Sequence, residues 1–268
     1  MSSDKNFVMV LLIVGALVLF LFIGPIGCSL GTPKVTPVEA YDQKGSDTFD
    51  HALLGEVLTQ VVNGKGLVNY RTLQKDHARL DLYLESLAAA PFDDLDRNDK
   101  LAFLINAYNA CTLKLILDHY PLTSVKDIPA SERWQGRKWL IAGRKWTLHE
   151  IEHDECRAKF KEPRVHFALN CASISCPPLR GEPFVGSRIE EQLEDQARIF
   201  VNGVRWCQIN IKDQEMQLSK IFDWYEADFL AVESSLASYV AKTRQYQGDF
   251  SQYSVGFLSY DWNLNDSQ

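Results

Sequence analysis

The chain contains 268 residues with a net charge of -7 and a sequence pI of about 5.4. It lacks the excess of basic residues by which proteins bind a phosphate backbone, so we expect no nucleic-acid partner. Hydrophobic residues make up 46% and charged residues 24% of the chain, the ordinary composition of a globular domain. The length fits one hydrophobic core of roughly 200 residues without requiring a second domain.

An apolar segment near the N-terminus is long enough to enter a membrane. Residues 7–23 are apolar except for Gly15, and no charged residue occurs between Asn6 and Lys34. A helix needs roughly 20 apolar residues to cross a bilayer core. We therefore predict that residues 1–27 form a hydrophobic membrane anchor or signal segment, which contacts the membrane through residues 7–27.

The next segment leaves two modes of attachment open. Cys28 resembles the lipidated cysteine of bacterial lipoproteins, so a lipid anchor is the alternative to an uncleaved helix. Residues 28–46 combine prolines with few large apolar side chains, which is typical of a linker. We expect this linker to hold a single globular domain, residues 47–264, on the periplasmic, extracytoplasmic side of the membrane.

Periodicity predicts that helices dominate this domain. The predicted helices lie at residues 49–62, 73–89, 94–119, 148–160, 188–201 and 234–241, and the aromatic run at 221–230 is expected to be packed in the protein. A hairpin is expected at 138–148, a strand pair at 204–211 and 215–218, and a strand-like run at 254–263. The predicted fold class is therefore α+β, a mostly helical single domain with a small sheet clustered late in the chain. The helix at 94–119 is almost wholly apolar and is expected at the centre of the fold.

The run from Arg164 to Arg180, RVHFALNCASISCPPLR, collects the reactive side chains. Apolar and other residues alternate over residues 165–169, which predicts a half-buried strand. The pattern then gives way to small residues, and two consecutive prolines end any regular element. Cys176 lies at this break. Polar groups at the end of a strand, entering a loop, are typical of active sites.

The first chemical hypothesis is a thiol site. A catalytic cysteine needs a base or a cation close by to lower its pKa. We propose Cys176 as the nucleophile of an acyl transfer or hydrolysis, with His153 or His166 as its base and a small molecule or peptide as its unknown substrate. The alternative is that His166 is a hydrogen-bonded histidine of the core and that Cys176 is a small packing residue.

Other polar residues could complete such a site. Asn106 and Asn109 lie on the apolar central helix, where a buried polar group needs a partner. Either could fix neighbouring loops, or could orient the reacting groups or donate to an oxyanion. Glu152 could hold the tautomer of a histidine. The candidate catalytic residues are therefore Cys176, His166, His153, Glu152, Asn106 and Asn109.

A zinc-dependent hydrolase is an alternative. His149 and His153 bracket an H-E-x-x-H match on a predicted helix, with Glu150 as a potential general base. The charged Glu152 is unusual at its position in such motifs, and the longer metzincin pattern does not follow. A structural site is also conceivable, formed by His153, His166, Cys171 and Cys176. We nevertheless expect no bound metal and no cofactor.

The third hypothesis is a disulfide. The chain has six cysteines, and an exported domain meets an oxidising compartment. Cys171 and Cys176 are close enough in sequence to pair. The cysteines and histidines would then be structural, and the protein would be a non-enzymatic binding or scaffold domain of the cell envelope.

Several motifs together resemble the domain of unknown function 547 family, which occurs in bacterial envelope proteins and in eukaryotic multidomain proteins. They are LINAYNACTL, IEH, PRVHFALNCASISCPPLR and KIFDWYEADF, and the resemblance covers most of residues 49–263. It implies that the motif residues belong to one site, and it implies no activity. Those residues are His153, His166, Cys171, Cys176, Asn106, Tyr108 and Asn109.

Overall fold

A computed structural model describes residues 41, 45–248 and 250–268 of the chain. The predicted anchor, residues 1–27, lies outside the described residues, as does most of the predicted linker. The described part is mostly helical with small sheets, as the sequence predicted. Its helices pack around two hydrophobic clusters, one on either side of the region that carries the cysteines and histidines.

The long helix α4, Arg97–His119, lies at the centre of the first cluster. It begins where the Asp96 carboxylate accepts a hydrogen bond from the backbone N–H of Asp99 at 2.8 Å. It ends just ahead of Pro121, which has no N–H with which to continue a helix. Within the described residues it is the helix long and apolar enough to cross a membrane, yet 89% of its most apolar stretch is buried in the protein. The prediction of a central core helix is therefore confirmed.

The other helices are short. Their bounds are α1 Ala52–Val61, α2 Tyr70–Lys75, α3 Ala78–Ala88, α5 Ala158–Phe160, α6 Val165–Ala168, α7 Ile189–Asn202, α8 Lys220–Trp224, α9 Glu226–Leu230 and α10 Leu236–Thr243. Single turns of 3₁₀ helix occur at Phe92–Asp94, Val125–Asp127 and Gly186–Arg188. The predicted helices therefore exist, and the aromatic run at 221–230, for which the sequence predicted only packing, is helical as α8 and α9.

The helix predicted at 148–160 has an unexpected form. Glu150–Arg157 is a π-helix, and α5 continues it by one turn. Lys161 then adopts the left-handed conformation, with φ 53°, and ends the helix. π-helices are rare and frequently occur at functional sites. This segment carries two of the histidines identified in the sequence.

A hairpin precedes the π-helical segment, as predicted. Strands β1, Lys138–Ile141, and β2, Arg144–Thr147, pair antiparallel. The two turn residues, Ala142 and Gly143, both have positive φ angles, of 50° and 70°. A two-residue turn of this kind requires such angles, because its twist then matches that of the strands.

The second sheet lies late in the chain, also as predicted. It has the order β3-β4-β5, with β3 at Cys207–Asn210, β4 at Glu215–Leu218 and β5 at Ser254–Phe257. β3 and β4 pair antiparallel, and β4 and β5 pair parallel. α8, α9 and α10 lie between β4 and β5 in the chain. Their apolar residues share the second hydrophobic cluster with residues of β3 and β4.

The strand predicted at residues 165–169 is wrong, because this segment forms the helical turn α6. Its alternation has a different cause. Val165 and Leu169 belong to the first hydrophobic cluster, whereas Phe167 belongs to the second. All four residues of α6 are buried, so the pattern reflects two apolar neighbours rather than a core and a solvent face. His166 is consequently held between the two clusters.

Candidate functional site

A cleft of about 490 Å³ lies beside α6. It brings together Cys176, His166, His153 and Glu152, four of the predicted site residues, and adds Cys171 and His149. Its remaining polar and aromatic lining comprises Arg133, Gln135, Tyr108, Trp134, Trp224, Tyr225, Tyr260 and Trp262. Asn106 and Asn109 are not among the lining residues.

His166 is held by contacts on two sides. Its Nε2 lies 2.7 Å from a carboxylate oxygen of Asp228, and its ring stacks on that of Tyr225 with the ring centroids 3.8 Å apart. Burial lowers the pKa of His166 although the neighbouring carboxylate acts to raise it. The neutral ring therefore donates its Nε2 proton to Asp228. Its Nδ1 is buried and has no partner among the described residues.

Arg157 joins the two histidines of the cleft through Asp228. Its Nε and Nη2 donate to the two carboxylate oxygens of Asp228, at 2.7 Å and 3.0 Å. Its Nη1 lies 2.8 Å from Nδ1 of His153. Because a guanidinium can only donate, His153 accepts at Nδ1 and carries its proton on Nε2. Burial also lowers the pKa of His153, so both histidines are neutral near pH 7.

Asp228 supplies the negative charge of this network. Burial alone would raise its pKa, but the hydrogen bonds from His166 and Arg157 outweigh burial and hold the pKa well below its usual range. The carboxylate therefore stays ionised, and it can stabilise a proton gained by His166. This is the electrostatic arrangement by which an acid orients a catalytic histidine.

Glu152 bonds to two tyrosines of the cleft. Its carboxylate accepts hydrogen bonds from the phenols of Tyr225, at 2.5 Å, and Tyr108, at 3.2 Å. It thereby fixes the tyrosine that stacks on His166. In the structure, Asp228 and Arg157 rather than Glu152 bond to the histidines.

The pKa values of the two cysteine thiols of the cleft are shifted in opposite directions. Hydrogen bonding from the Cys176 side chain, supported by Ser173 and Tyr260, lowers the pKa of Cys171 to about 7 against the effect of burial. The Cys171 sulfur lies 3.2 Å from Ser173 Oγ and 3.3 Å from the Tyr260 hydroxyl. Burial raises the pKa of Cys176, whose sulfur accepts the backbone N–H of Cys171 at 2.7 Å. The hydrogen bonds therefore favour ionisation of Cys171 over ionisation of Cys176.

The five cysteines in the described part of the chain are free. A disulfide between Cys171 and Cys176 is thus not formed in this structure. In the same part of the chain, neither of these thiols is hydrogen-bonded to a histidine.

The two asparagines of α4 hold different segments. Asn109 donates to the carbonyl of Ala168 at 3.0 Å and accepts the N–H of Asn170 at 2.8 Å, so it fixes the backbone just before Cys171. Asn106 forms the same pair of bonds with the backbone of Phe184, at 2.7 Å and 2.9 Å. Asn109 therefore positions the cysteine loop, and Asn106 does not contact it.

Asn170, which the sequence analysis did not single out, closes this loop. Its buried side chain donates to the carbonyl of Pro177 at 2.6 Å and accepts the N–H of Ala172 at 2.9 Å. Asn265 donates to the same side-chain oxygen at 3.3 Å and also accepts the hydroxyl of Tyr70 at 2.8 Å. The side chains of Asn170, Asn265 and Tyr70 thus satisfy one another together with two backbone groups of the loop, and they fix its shape.

The zinc alternative gains no support from its glutamate. The Glu150 carboxylate accepts the N–H of Thr147 at 2.6 Å, and the Glu150 N–H donates to the Thr147 hydroxyl at 3.1 Å. This reciprocal pair caps the helix start. The rings of His149 and His153 lie 4.2 Å apart. Over residues 41, 45–248 and 250–268, no group of three His, Cys, Asp or Glu side chains is arranged to hold a metal ion.

The fold and the cleft define a mostly helical domain in which two cysteines and three histidines line one aromatic-walled cleft. Residues 92–201 match the family described as protein of unknown function, DUF547, so the chain carries a DUF547 family domain and the resemblance seen in the sequence is confirmed. No matching curated protein and no matching solved structure was found. The site also uses Tyr225, Asp228 and Tyr260, which lie beyond the matched residues.

Proposed function

We propose that the cleft is the active site of a thiol-dependent acyl transferase or hydrolase. The observation that carries this proposal is the partly exposed Cys171 thiol, which lies beside the Ser173 and Tyr260 hydroxyls and lines the same cleft as an Asp228–His166 pair. Hydrogen bonding, chiefly from Cys176, lowers the pKa of this thiol. A thiolate that exists near neutral pH can attack a carbonyl carbon without prior activation. The nucleophile in this proposal is Cys171 rather than Cys176.

His166 is the general base of the proposed reaction. Its Nε2–H is committed to Asp228, which leaves the lone pair of Nδ1 to accept a proton. The Cys171 sulfur bonds to the substrate carbonyl carbon, and the carbonyl electron pair moves to oxygen. When the oxyanion collapses, the bond to the leaving group breaks and the acyl group remains on sulfur. A water molecule then attacks the thioester carbonyl carbon and gives a proton to His166, and Asp228 stabilises the imidazolium that forms. Collapse of this second intermediate breaks the carbon–sulfur bond, which releases the acid and returns Cys171 to the thiolate, and His166 gives its proton, through the solvent, to the leaving group of the first step.

His153 suits a second task. Because Arg157 donates to its Nδ1, its Nε2–H is directed elsewhere and its ring is neutral. A neutral imidazole N–H can donate to a developing oxyanion. Asn109 contributes by fixing the backbone before Cys171 and does not touch the reacting atoms.

Alkylation and acylation test the proposal on the same protein. Iodoacetamide should label Cys171 with an inflection near pH 7, and Cys176→Ala should raise that inflection because the hydrogen bond from the Cys176 side chain is lost. An activated ester or thioester should leave an acyl group on Cys171, seen by intact mass, and Cys171→Ser should abolish it. His166→Gln should let the acyl-enzyme accumulate. If Cys171 labels no faster than a cysteine of the unfolded chain, the enzymatic proposal fails.

A binding domain is the second candidate. The Cys171 N–H donates to the Cys176 sulfur, and in this candidate the pair of cysteines only holds the loop in place. This candidate predicts that Cys171 is labelled but never acylated, and that Cys176→Ser lowers the melting temperature more than Cys171→Ser does.

We further propose that this domain is tethered to a membrane and lies on its extracytoplasmic side. The apolar run at residues 7–23 supports the tether, either as an uncleaved helix or as the precursor of a lipid-modified Cys28. Free thiols in such a compartment would need protection from oxidation. Burial of Cys176 and its hydrogen bond to Cys171 are consistent with that need.

A further inference from the structure

Arg133 is a charged residue of the cleft wall that the proposed reaction does not use. It lies in the loop after Pro129, whose carbonyl accepts the Arg133 N–H at 3.2 Å. The same loop is joined to the π-helical segment, because the N–H of His149 donates to the carbonyl of Trp134 at 2.9 Å. The guanidinium lies 5.5 Å from the ring centroid of Trp134 and is held there by a cation–π contact.

The guanidinium of Arg133 contacts Trp134 but has no hydrogen-bonding or ionic partner among the described residues. Its Nε is buried, and in the described part of the chain neither a hydrogen bond nor an ion pair joins this guanidinium to another side chain. Its neighbours differ in this respect. Glu132 pairs with His119 at 3.3 Å, and Arg137 pairs with Asp118 at 2.7 Å. A buried donor without an acceptor is destabilising, so it is normally retained where a ligand supplies the acceptor.

The other groups of the cleft favour an anion of single charge. The Glu152 carboxylate accepts hydrogen bonds from two phenols, and in the described part of the chain it forms no ion pair with Arg133. The ring of His153 is neutral, because burial lowers its pKa. One planar guanidinium with no second fixed cation fits a carboxylate better than a phosphate dianion, which usually draws several basic groups.

We propose that Arg133 forms a carboxylate subsite, and that the substrate is an acyl compound with a free carboxylate and an apolar portion. The apolar portion would lie against Trp134 and Trp262, whose ring centroids are 6.1 Å apart on the wall of the cleft. The acyl carbonyl would reach Cys171 from the same cleft. This inference rests on the proposed function in that it names the substrate class of the same thiol.

Paired alkylating reagents test the subsite without knowledge of the natural substrate. N-iodoacetylglycine carries a carboxylate, and N-iodoacetylglycinamide is its neutral counterpart. At Cys171 of the whole protein, the ratio of their rates should exceed the ratio for glutathione by about tenfold, the size of one charge-assisted hydrogen bond. Arg133→Gln should reduce the ratio to that of glutathione while changing the neutral reagent's rate by less than about twofold. Arg133→Lys should retain part of the preference.

Arg137→Gln is the matched control, because Arg137 is paired with Asp118 and does not line the cleft. It should leave the ratio unchanged. A measurement without variants adds a check: N-acetylglycine should protect Cys171 from iodoacetamide, and N-acetylglycinamide should not. A wild-type ratio equal to that of glutathione, an Arg133→Gln ratio equal to that of wild type, or equal protection by both compounds would overturn the subsite. Because alkylation needs no turnover, these outcomes are separate from a failure to form an acyl-enzyme.

Discussion

Replacing Asn109 with alanine should disturb the reactive cysteine through the backbone. The side chain holds the carbonyl of Ala168 and the N–H of Asn170, both on the segment that leads into Cys171. Each hydrogen bond contributes about 1 kcal/mol net, and a buried backbone group left unpaired costs about 1–3 kcal/mol. We therefore expect Asn109→Ala to lower the free energy of unfolding by about 2–4 kcal/mol. The pKa of Cys171 should rise toward that of an ordinary thiol, because its neighbours lose their positions.

Asn106→Ala is the matched control. Asn106 lies one turn earlier on α4, is equally buried and also makes two backbone hydrogen bonds, but these go to Phe184. The two variants should therefore lose similar stability, roughly 4–16 °C in melting temperature at about 2–4 °C per kcal/mol for a domain of this size. Only Asn109→Ala should shift the pH inflection of Cys171 alkylation.

Circular dichroism during heating gives the stability of both variants, and peptide mass spectrometry after iodoacetamide gives the labelling of Cys171. Two results would refute the reasoning. One is an equal shift of the Cys171 inflection in both variants, which would mean that it reports general loosening. The other is an unchanged inflection in Asn109→Ala despite the loss of stability, which would mean that the loop is fixed by other contacts.

Three further predictions concern the network, the loop and the anchor. Asp228→Asn should lower the free energy of unfolding by about 2–3 kcal/mol, because the carboxylate that pairs with Arg157 and accepts from the buried His166 becomes a neutral amide. Because the pKa of Asp228 is depressed in the folded state, its carboxylate stabilises the fold above about pH 4 and ceases to do so in stronger acid. The urea midpoints of the wild type and of Asp228→Asn should therefore converge in stronger acid, and a constant difference between them would contradict this. Gly66→Ala should cost about 2–3 kcal/mol in chemical denaturation, because φ is 70° and the new Cβ would lie 2.3 Å from Pro178; a neutral effect would mean that the loop yields. Deleting residues 1–27 should release the folded protein from membranes in a flotation assay, and continued flotation would locate the attachment elsewhere.

Local patterns predicted the elements whose surroundings are uniform. The helix α4 is buried on all sides, so its unbroken apolar sequence was sufficient to place it at the centre. The hairpin β1–β2 depends on its own turn and on the adjacent pairing, and it too was predicted. The segment of α6 was predicted as a strand because its apolar residues alternate. They alternate because its two faces contact two different hydrophobic clusters, and the sequence pattern does not distinguish this from a strand with one buried face.

The site was only partly predictable because its decisive partners are remote in sequence. The cysteines and histidines were identified by residue type and motif, and the cleft does contain them. The partner of His166, however, is Asp228, 62 residues later, and the hydroxyl beside Cys171 belongs to Tyr260, 89 residues later. The KIFDWYEADF run contains Asp228 and was interpreted mainly as packing. The acidity of a thiol depends on such contacts with remote residues. Cys176 was predicted as the nucleophile from its position in the loop, which does not reveal these contacts.

The late arrival of Asn265 has a consequence for the newly made chain. During synthesis Asn170 leaves the ribosome 95 residues ahead of Asn265, the residue that anchors its side chain to Tyr70. Until then, Cys171 and Cys176 belong to a loop without its native restraints, and they can meet and oxidise before the cleft exists. A chain crossing into an oxidising compartment would therefore need reduction, or rapid completion of this last contact, to reach the thiol form.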